Sequence, residues 1–475
     1  MKLNDLTILE AQKALFDKKF SALELVASCL ERVKEVDRKI NALITVCDKQ
    51  ALDQAKKADK LLTFSTTRKE DKPLLGIPFV LKDLFLTSGI RTTAGSKVLE
   101  NYIPVYDATV SRKLKEAGAI IIGKANCDAW GHGSSGENSD FGSTRNPWNL
   151  AFVPGGSSSG SAAALAAGEC LAATGTDTGG SIRLPASFCN LVGLKPTYGR
   201  VSRYGIIAMA SSLDSPGHFA KTVKDSAFIL GVTAGQDPLD ATTPNIPVDD
   251  YLKTIEQEIK GVKIGLPKEY FAEGISSEMK EKVNEAVLIF EKLGAKIIEI
   301  SLPHTQYALA CYYLIQPSEV SSNLARYDGI RFGYERQKFE DEAKRRIMLG
   351  TFALSSGYYD AYYLKAMKVR TLIKQDFDRA FEKVDAILAP VSPTPPFKIG
   401  EKVDDPLKMY LSDIYTVTAN LAGIPGLALP VGFIAGLPVG IQVLGPQFSE
   451  KLLFRIGYNF EQETKIGKGD YQICF

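Results

Sequence analysis

The apolar positions of this chain follow two rhythms. In the first 62 residues they recur at helical spacing, and two such tracts open on capping boxes, Thr7 to Glu10 and Ser21 to Glu24. These residues predict a helical arm wrapped around a larger body. From Leu75 to Gly199 short apolar runs, Ile77 to Leu81, Ala119 to Ile122 and Cys170 to Thr174, read as strands that alternate with helical stretches such as Ser111 to Ala117. That alternation predicts an α/β core.

Further patterns extend it. Gly160 opens a run of small residues, Ser161 to Ala167, closed by Gly168; small side chains let a helix pack close to a sheet, and the final glycine suits a left-handed cap. Val262 to Leu266, Ser277 to Leu293 with Gly294, and Ala295 to Ile300 read as strand, capped helix and strand, a β-α-β unit. The helical tract Asp360 to Phe381 leads into Ala386 to Pro390 in the same way. Residues 305 to 358 read as mostly helical and polar, a cap over a site. The expected organisation is one domain: a helical arm over 1–62, a catalytic core over 63–260, and the remainder of the core over 261–475 with its helical cap at about 305–382.

Composition excludes several classes of function. With 57 basic against 55 acidic residues the net charge is +2, which provides no long-range field for nucleic acid. Seven cysteines, without a Cys-x-x-Cys pair or a cluster with any of the three histidines, argue against a disulfide framework and a zinc site, and for a reducing, cytoplasmic setting. The N-terminus has no apolar signal core, and no apolar run approaches membrane length. No metal site and no membrane association are expected.

The candidate chemistry lies in three segments. Lys82 sits in Val80-Leu81-Lys82-Asp83-Leu84, crowded by Phe79 and Phe85, a setting that favours the uncharged amine. The ordinary alternative is a lysine snorkelling from a strand end. Downstream lie Gly155-Gly156-Ser157-Ser158-Ser159-Gly160-Ser161 and Asp177-Thr178-Gly179-Gly180-Ser181. The first has the glycine spacing of a phosphate loop, but Ser161 stands where that loop needs lysine. It also fits G-x-S-x-G, yet Asn146-Pro147-Trp148-Asn149 and Pro154 read as loop, whereas a nucleophile elbow follows a buried strand. Asp177-Thr178-Gly179 has no second copy with which to share a proton, which excludes an aspartic protease. Taken together, a lysine base, a bridging hydroxyl and a serine beside a glycine turn make an acyl-transfer site without histidine. Gly179 and Gly180 allow successive N–H groups to converge as an oxyanion nest.

The lysine, the Gly-Gly-Ser-Ser-x-Gly-Ser run and Asp177-Thr178-Gly179-Gly180-Ser181-Ile182-Arg183 resemble the amidase signature family, whose members cleave amides with a serine–cis-serine–lysine triad. The resemblance implies that family's fold, a large mixed β-sheet flanked by helices. It also implies Lys82 as base, Ser157 as cis-serine relay and Ser181 as nucleophile, with Thr178, Gly179 and Gly180 around the oxyanion. The segments Gly193 to Ser202, Ser321 to Gly329 and Arg345 to Ser355 are similar to the family's glutamine-hydrolysing branch, which serves tRNA-dependent amidotransferases. Departures from the pattern fall at Ser159, Leu184 and Ser215 and in a shortened stretch between Tyr334 and Arg345; none is a triad member.

For that branch the resemblance implies glutamine as substrate, with Arg346 on its carboxylate, Asp413 on its ammonium and Tyr312 lining the pocket. Without it, Lys344-Arg345-Arg346 reads as a solvated helix face. The resemblance further implies no cofactor in this chain, a partner B subunit that uses ATP and Mg²⁺ and holds the tRNA, and a small C subunit tying the two together. Rival readings are a self-sufficient amidase acting on another small amide, which differs only in pocket and partners, and a silent scaffold, which has no need of Lys82, Ser157 and Ser181 together.

Overall fold

The computed structural model describes residues 2–63, 68–271, 274–330, 334–464 and 473–475. Its arm begins with α1 (Ile8–Phe16) and α2 (Ala22–Ile40), and both capping boxes are formed. Carboxylates from elsewhere in the chain reinforce these helix starts, where the dipole favours negative charge. Asp225 accepts from the N–H groups of Ile8 and Leu9 at 3.0 and 3.1 Å, and Asp59 from those of Ala22 and Leu23 at 2.6 and 3.1 Å. The arm is not wholly helical. Asn41, left-handed at φ 53°, ends α2, and β1 (Leu43–Val46) follows before α3 (Asp48–Thr63). The run Ile44-Thr45-Val46 is rich in β-branched residues and pairs along the sheet edge, a tertiary contact that helical periodicity does not reveal.

The core continues with β2 (Pro78–Lys82), α4 (Thr109–Glu116), β3 (Ile120–Ala125), α5 (Ser159–Ala166), β4 (Ala172–Asp177), α6 (Arg183–Phe188), β5 (Val192–Lys195), β6 (Ser215–Ala220) and α7 (Val223–Thr233). The expected strands are present, but each runs one to three residues further than its apolar stretch: β2 reaches Lys82, β3 Ala125 and β4 Asp177. Polar residues at those ends break the hydrophobic pattern yet remain in the ladder, because buried partners satisfy them. In α5, a Cβ on Gly160 would stand 2.2 Å from the Ala42 carbonyl oxygen, which is why the first turn of this helix carries glycine.

The second half comprises β7 (Lys263–Pro267), α8 (Ser277–Lys292), β8 (Lys296–Ile300), α9 (Ala308–Asn323), α10 (Asp341–Ala353), α11 (Lys365–Phe381) and β9 (Ala386–Pro390). It closes with α12 (Pro406–Tyr410), α13 (Val417–Ala422), β10 (Gly426–Ile434), β11 (Leu437–Leu444) and α14 (Glu450–Thr464). Among the described residues, eleven strands join one mixed sheet in the order β1-β3-β2-β4-β6-β5-β10-β11-β9-β7-β8. The β7-α8-β8 unit is parallel as expected, and β9 pairs parallel to β7. Within the expected cap, residues 331–333 lie outside the described residues. The cap is less polar than expected: α9 buries Ala308, Cys311, Tyr312 and Ile315 in a second apolar cluster with α11 and α13. Its helix α9 thus also forms a wall of the core.

Strands β3, β2 and β4 are parallel neighbours, so their carboxyl ends share one edge of the sheet, the usual place for a site in such a layer. Lys82 and Asp177 are the last residues of β2 and β4. Among the described residues no helix is long and apolar enough to cross a membrane. Asp225→Ala removes both acceptors at the start of α1 and should cost about 1–3 kcal/mol. The expected outcome is a lower melting temperature with faster proteolysis inside α1, measured against Asp225→Asn.

Candidate active site

Lys82 is fully buried, and its Nζ donates to Ser157 Oγ at 2.8 Å and to Thr176 Oγ1 at 2.9 Å. Burial pulls its pKa down to about 8, although the neighbouring Asp128, Asp177 and Asp214 act in the opposite direction. The snorkelling alternative is thereby excluded, since the amine ends inside the protein.

Ser157 follows a cis peptide bond from Gly156. A Cβ on Gly156 would lie 2.1 Å from Asp128 Oδ2, so only glycine lets this bend rest on the aspartate. Asp128 in turn accepts from the N–H groups of Gly136 at 3.1 Å and Asn138 at 2.9 Å, and burial pushes its pKa up to about 6. The Ser157 carbonyl accepts from Asp128 N–H at 3.1 Å, and the Ser158 N–H donates to the Ser181 carbonyl at 3.3 Å, fastening the two serine segments together.

The turn carrying Ser181 is built around Asp177. Its carboxylate accepts from the N–H groups of Gly180 at 2.9 Å, Ile182 at 3.2 Å and Arg183 at 3.3 Å, and from the Arg183 side chain at 3.0 and 3.1 Å. Burial alone would raise the Asp177 pKa; the charge and hydrogen bonds of Arg183 outweigh it and hold the group at about 2. Arg183 is itself fully buried and also donates to Gln442, Asn420 and the Thr416 carbonyl. Thr178 Oγ1 donates to Asp214 at 2.7 Å, and Thr416 Oγ1 to the Gly179 carbonyl at 2.6 Å.

One expected oxyanion donor is used differently. Gly180 spends its N–H on Asp177; its positive φ of 138° shapes the turn, and a Cβ there would meet Thr416 Oγ1 at 2.3 Å. The N–H groups of Thr178, Gly179 and Ser181 have no partner among the described residues. Ser181 retains 8% exposure, while Ser157 has 1%. Ser157 Oγ is bonded to Lys82 but makes no hydrogen bond to Ser181 Oγ in this structure.

The three residues expected around the substrate converge beside this edge. Tyr312, on α9, is buried with its ring over the glycine turn: a Cβ on Gly179 would meet its Cζ and hydroxyl at 2.7 Å. Arg346, on α10, is 3% exposed, so it is not part of a solvated face; Arg345, its neighbour, points outward. Arg346 Nε donates to Glu342 at 2.8 Å and Nη1 to Gln316 at 2.9 Å, and the guanidinium lies over the rings of Tyr313 and Tyr410. Its Nη2 makes no hydrogen bond among the described residues. Asp413 is buried and accepts from Ser134 at 2.8 Å and Tyr313 at 2.9 Å, and burial lifts its pKa to about 6.

A cavity of about 250 Å³, lined by His132, Ser134, Arg346 and Tyr410, opens here, smaller than the roughly 300–1,000 Å³ of drug-sized sites. A larger cavity, about 1070 Å³, lies elsewhere, between Tyr102, Tyr204 and Tyr327. Sequence reasoning did not single out Asp128, Thr176, Asp214, His132 or Gln316. Only Asp177 and Arg183 carried a signal, inside the glycine-serine motif.

This geometry and the comparisons agree: the chain belongs to the amidase family, whose model matches residues 24–454. It is 54% identical to the glutamyl-tRNA(Gln) amidotransferase A subunit of Carboxydothermus hydrogenoformans, over 98% of this chain and 99% of that protein. Identity to the protein of the same name from Geobacter metallireducens is 55%, over 98% of each. The crystal structure of the glutamyl-tRNA(Gln) amidotransferase A subunit from Thermotoga maritima superposes with a TM-score of 0.83 at 45% identity, covering 97% of this chain and 95% of that one. Peptide amidase from Stenotrophomonas maltophilia superposes at 0.84 with 29% identity, covering 99% of each.

Burial of Lys82 opposes folding in full below its folded pKa, where the native state must bury the charged amine, and progressively less between about 8 and 10.5, where only the unfolded chain still holds the proton. From 10.5 to about 8 this amounts to about 3 kcal/mol at pH 7, fading as pH rises toward 10.5. Lys82→Met should therefore melt higher than wild type at pH 7 and lose that advantage by pH 10. Parallel melting curves at the two pH values check it.

Proposed function

We propose that this chain is the glutamine-hydrolysing subunit of a glutamyl-tRNA(Gln) amidotransferase. The observation that carries the reading is a serine bonded to a buried lysine, together with a buried cation, Arg346, at a small cavity and a buried anion, Asp413, held by Ser134 of the same cavity lining. Free glutamine carries a carboxylate and an ammonium next to the amide to be cleaved, and a selective pocket needs one fixed charge for each. Full-length similarity to proteins of that name supports the same substrate.

In this scheme uncharged Lys82 takes the Ser157 proton as Ser157 takes that of Ser181, once bound substrate closes the second link; such hydrogen bonds often tighten only in the substrate complex. Ser181 Oγ attacks the side-chain carbonyl carbon. The N–H groups of Thr178, Gly179 and Ser181 receive the oxyanion, while Gly180 positions them; a donor of this kind contributes about 3 kcal/mol. The C–N bond breaks as the relay returns a proton to nitrogen, ammonia leaves, and water hydrolyses the glutamyl ester to glutamate. Asp177 and Arg183 act through the turn they hold rather than by touching substrate.

Ammonia is then used by partner subunits. A B subunit binds ATP, Mg²⁺ and the tRNA acceptor end, activates the misacylated glutamate and converts Glu-tRNA(Gln) to Gln-tRNA(Gln), and a small C subunit joins B to this chain. The near-neutral charge here fits that division, since the polyanion is held elsewhere.

In the assembled complex Ser181→Ala should abolish glutamine-dependent conversion of misacylated tRNA and leave ammonia-dependent conversion intact; loss of neither removes Ser181 from the nucleophile role. With wild type, kcat/KM for glutamine should rise with pH and level off above about 8, as Lys82 loses its proton. Arg346→Ala should raise the KM for glutamine at least tenfold, a change that steady-state kinetics would reveal; an unmoved KM refutes the carboxylate role. Full activity on glutamine by the chain alone, with no gain from partners, would favour a self-sufficient amidase.

A further inference from the structure

Two buried polar groups beside Arg346 take no part in this scheme. His132 is fully buried and lines the same cavity as Arg346 and Tyr410, yet neither ring nitrogen has a partner among the described residues. Gln316 gives its Oε1 to Arg346, while its Nε2 is buried and likewise without a partner. Burial first, and the Arg346 charge second, hold the His132 pKa well below its ordinary value, so the ring is neutral and carries one N–H donor.

Buried polar atoms are nearly always paired, and an unpaired one opposes folding. Two such side chains around one guanidinium, whose Nη2 is also unspent, call for an acceptor that is absent from the protein itself. A carboxylate supplies it. It offers about four lone-pair sites, more than one guanidinium fills, and neutral donors complete the set without placing a second cation against Arg346.

Resting on the glutaminase reading, we infer that His132 is a specificity-determining residue: with Gln316 it supplies neutral hydrogen-bond donors to the α-carboxylate held by Arg346. Both ring nitrogens are out of solvent contact in this structure, so the imidazole engages its ligand by turning into the cavity it already lines. The role marks His132 as a residue retained at the expense of stability, and this separates it from a packing residue.

The test uses His132→Leu and His132→Asn in the assembled complex. His132→Leu should raise the KM for glutamine five- to tenfold with kcat within twofold of wild type, and should raise the melting temperature because an unpaired imidazole is gone. His132→Asn, which keeps a donor, should recover part of the KM. As competitive inhibitors, L-glutamate should weaken five- to tenfold on His132→Leu, whereas 4-aminobutanoate, which lacks the α-carboxylate, should be unchanged. Unmoved KM with a lowered melting temperature would make His132 a packing residue, and equal weakening of both inhibitors would take its contact off the carboxylate. If His132→Leu does not fold, an unmoved KM and L-glutamate inhibition in His132→Asn and Gln316→Leu overturn the inference. A wild-type complex inactive on glutamine would end the glutaminase reading itself; an active one with unmoved variants overturns this inference alone.

Discussion

Letting one amine give up its proton near pH 8 is the constraint around which this molecule is organised, because Lys82 lies fully buried near three aspartates, any one of which would hold the proton on it by pairing with it. Each aspartate is engaged elsewhere. Asp177 is bound by Arg183, Asp128 by the N–H groups of Gly136 and Asn138, and Asp214 by Thr178 and the N–H groups of Met209 and Ala210. Lys82 is left with two hydroxyls, Ser157 and Thr176. A hydroxyl donates to a neutral amine or accepts from a charged one, so the environment tolerates both states without locking in the cation.

The bonds that occupy these carboxylates also shape the backbone. Asp177 folds the turn that presents Ser181, Asp128 supports the bend before Ser157, and Asp214 fixes Thr178. Electrostatics and geometry are thus set by the same contacts. The parallel run of β2 and β4 brings the lysine and the serine turn to one edge, and α9 and α10 lean over it with Tyr312 and Arg346. Removing Arg183 would free a charge beside Lys82 and unfasten the turn that carries Ser181 at once, which breaking a buried ion pair makes costly by about 3–5 kcal/mol.

Much of the fold was legible where burial is one-sided and local. Both capping boxes, the small-residue helix ending at Gly168 and the β-α-β unit around α8 all appear as their patterns predict. The strand β1 was not, because its four residues are held by an edge partner far along the chain rather than by a period of their own. The carboxyl ends of β2, β3 and β4 were also hidden: Lys82, Lys124 and Asp177 look like loop residues until their buried partners are known. Arg346 stood in a run of three cations that reads as surface, and only the packing of α10 on α9 separates it from Arg345.

The linear order of residues was sufficient to specify which chemical groups this protein brings to the site: a lysine among apolar neighbours and two serines beside glycines. It also carried the family likeness, since glycines at positions where any Cβ would collide are restricted by sterics that no substitution evades. Tertiary structure alone decided the state and aim of those groups. A proton's affinity depends on how much water and charge surround it, and a hydrogen bond on separations of tenths of an ångström; both are set by residues such as Asp128, Asp214 and Gln316, tens to hundreds of positions away along the chain from the groups they govern.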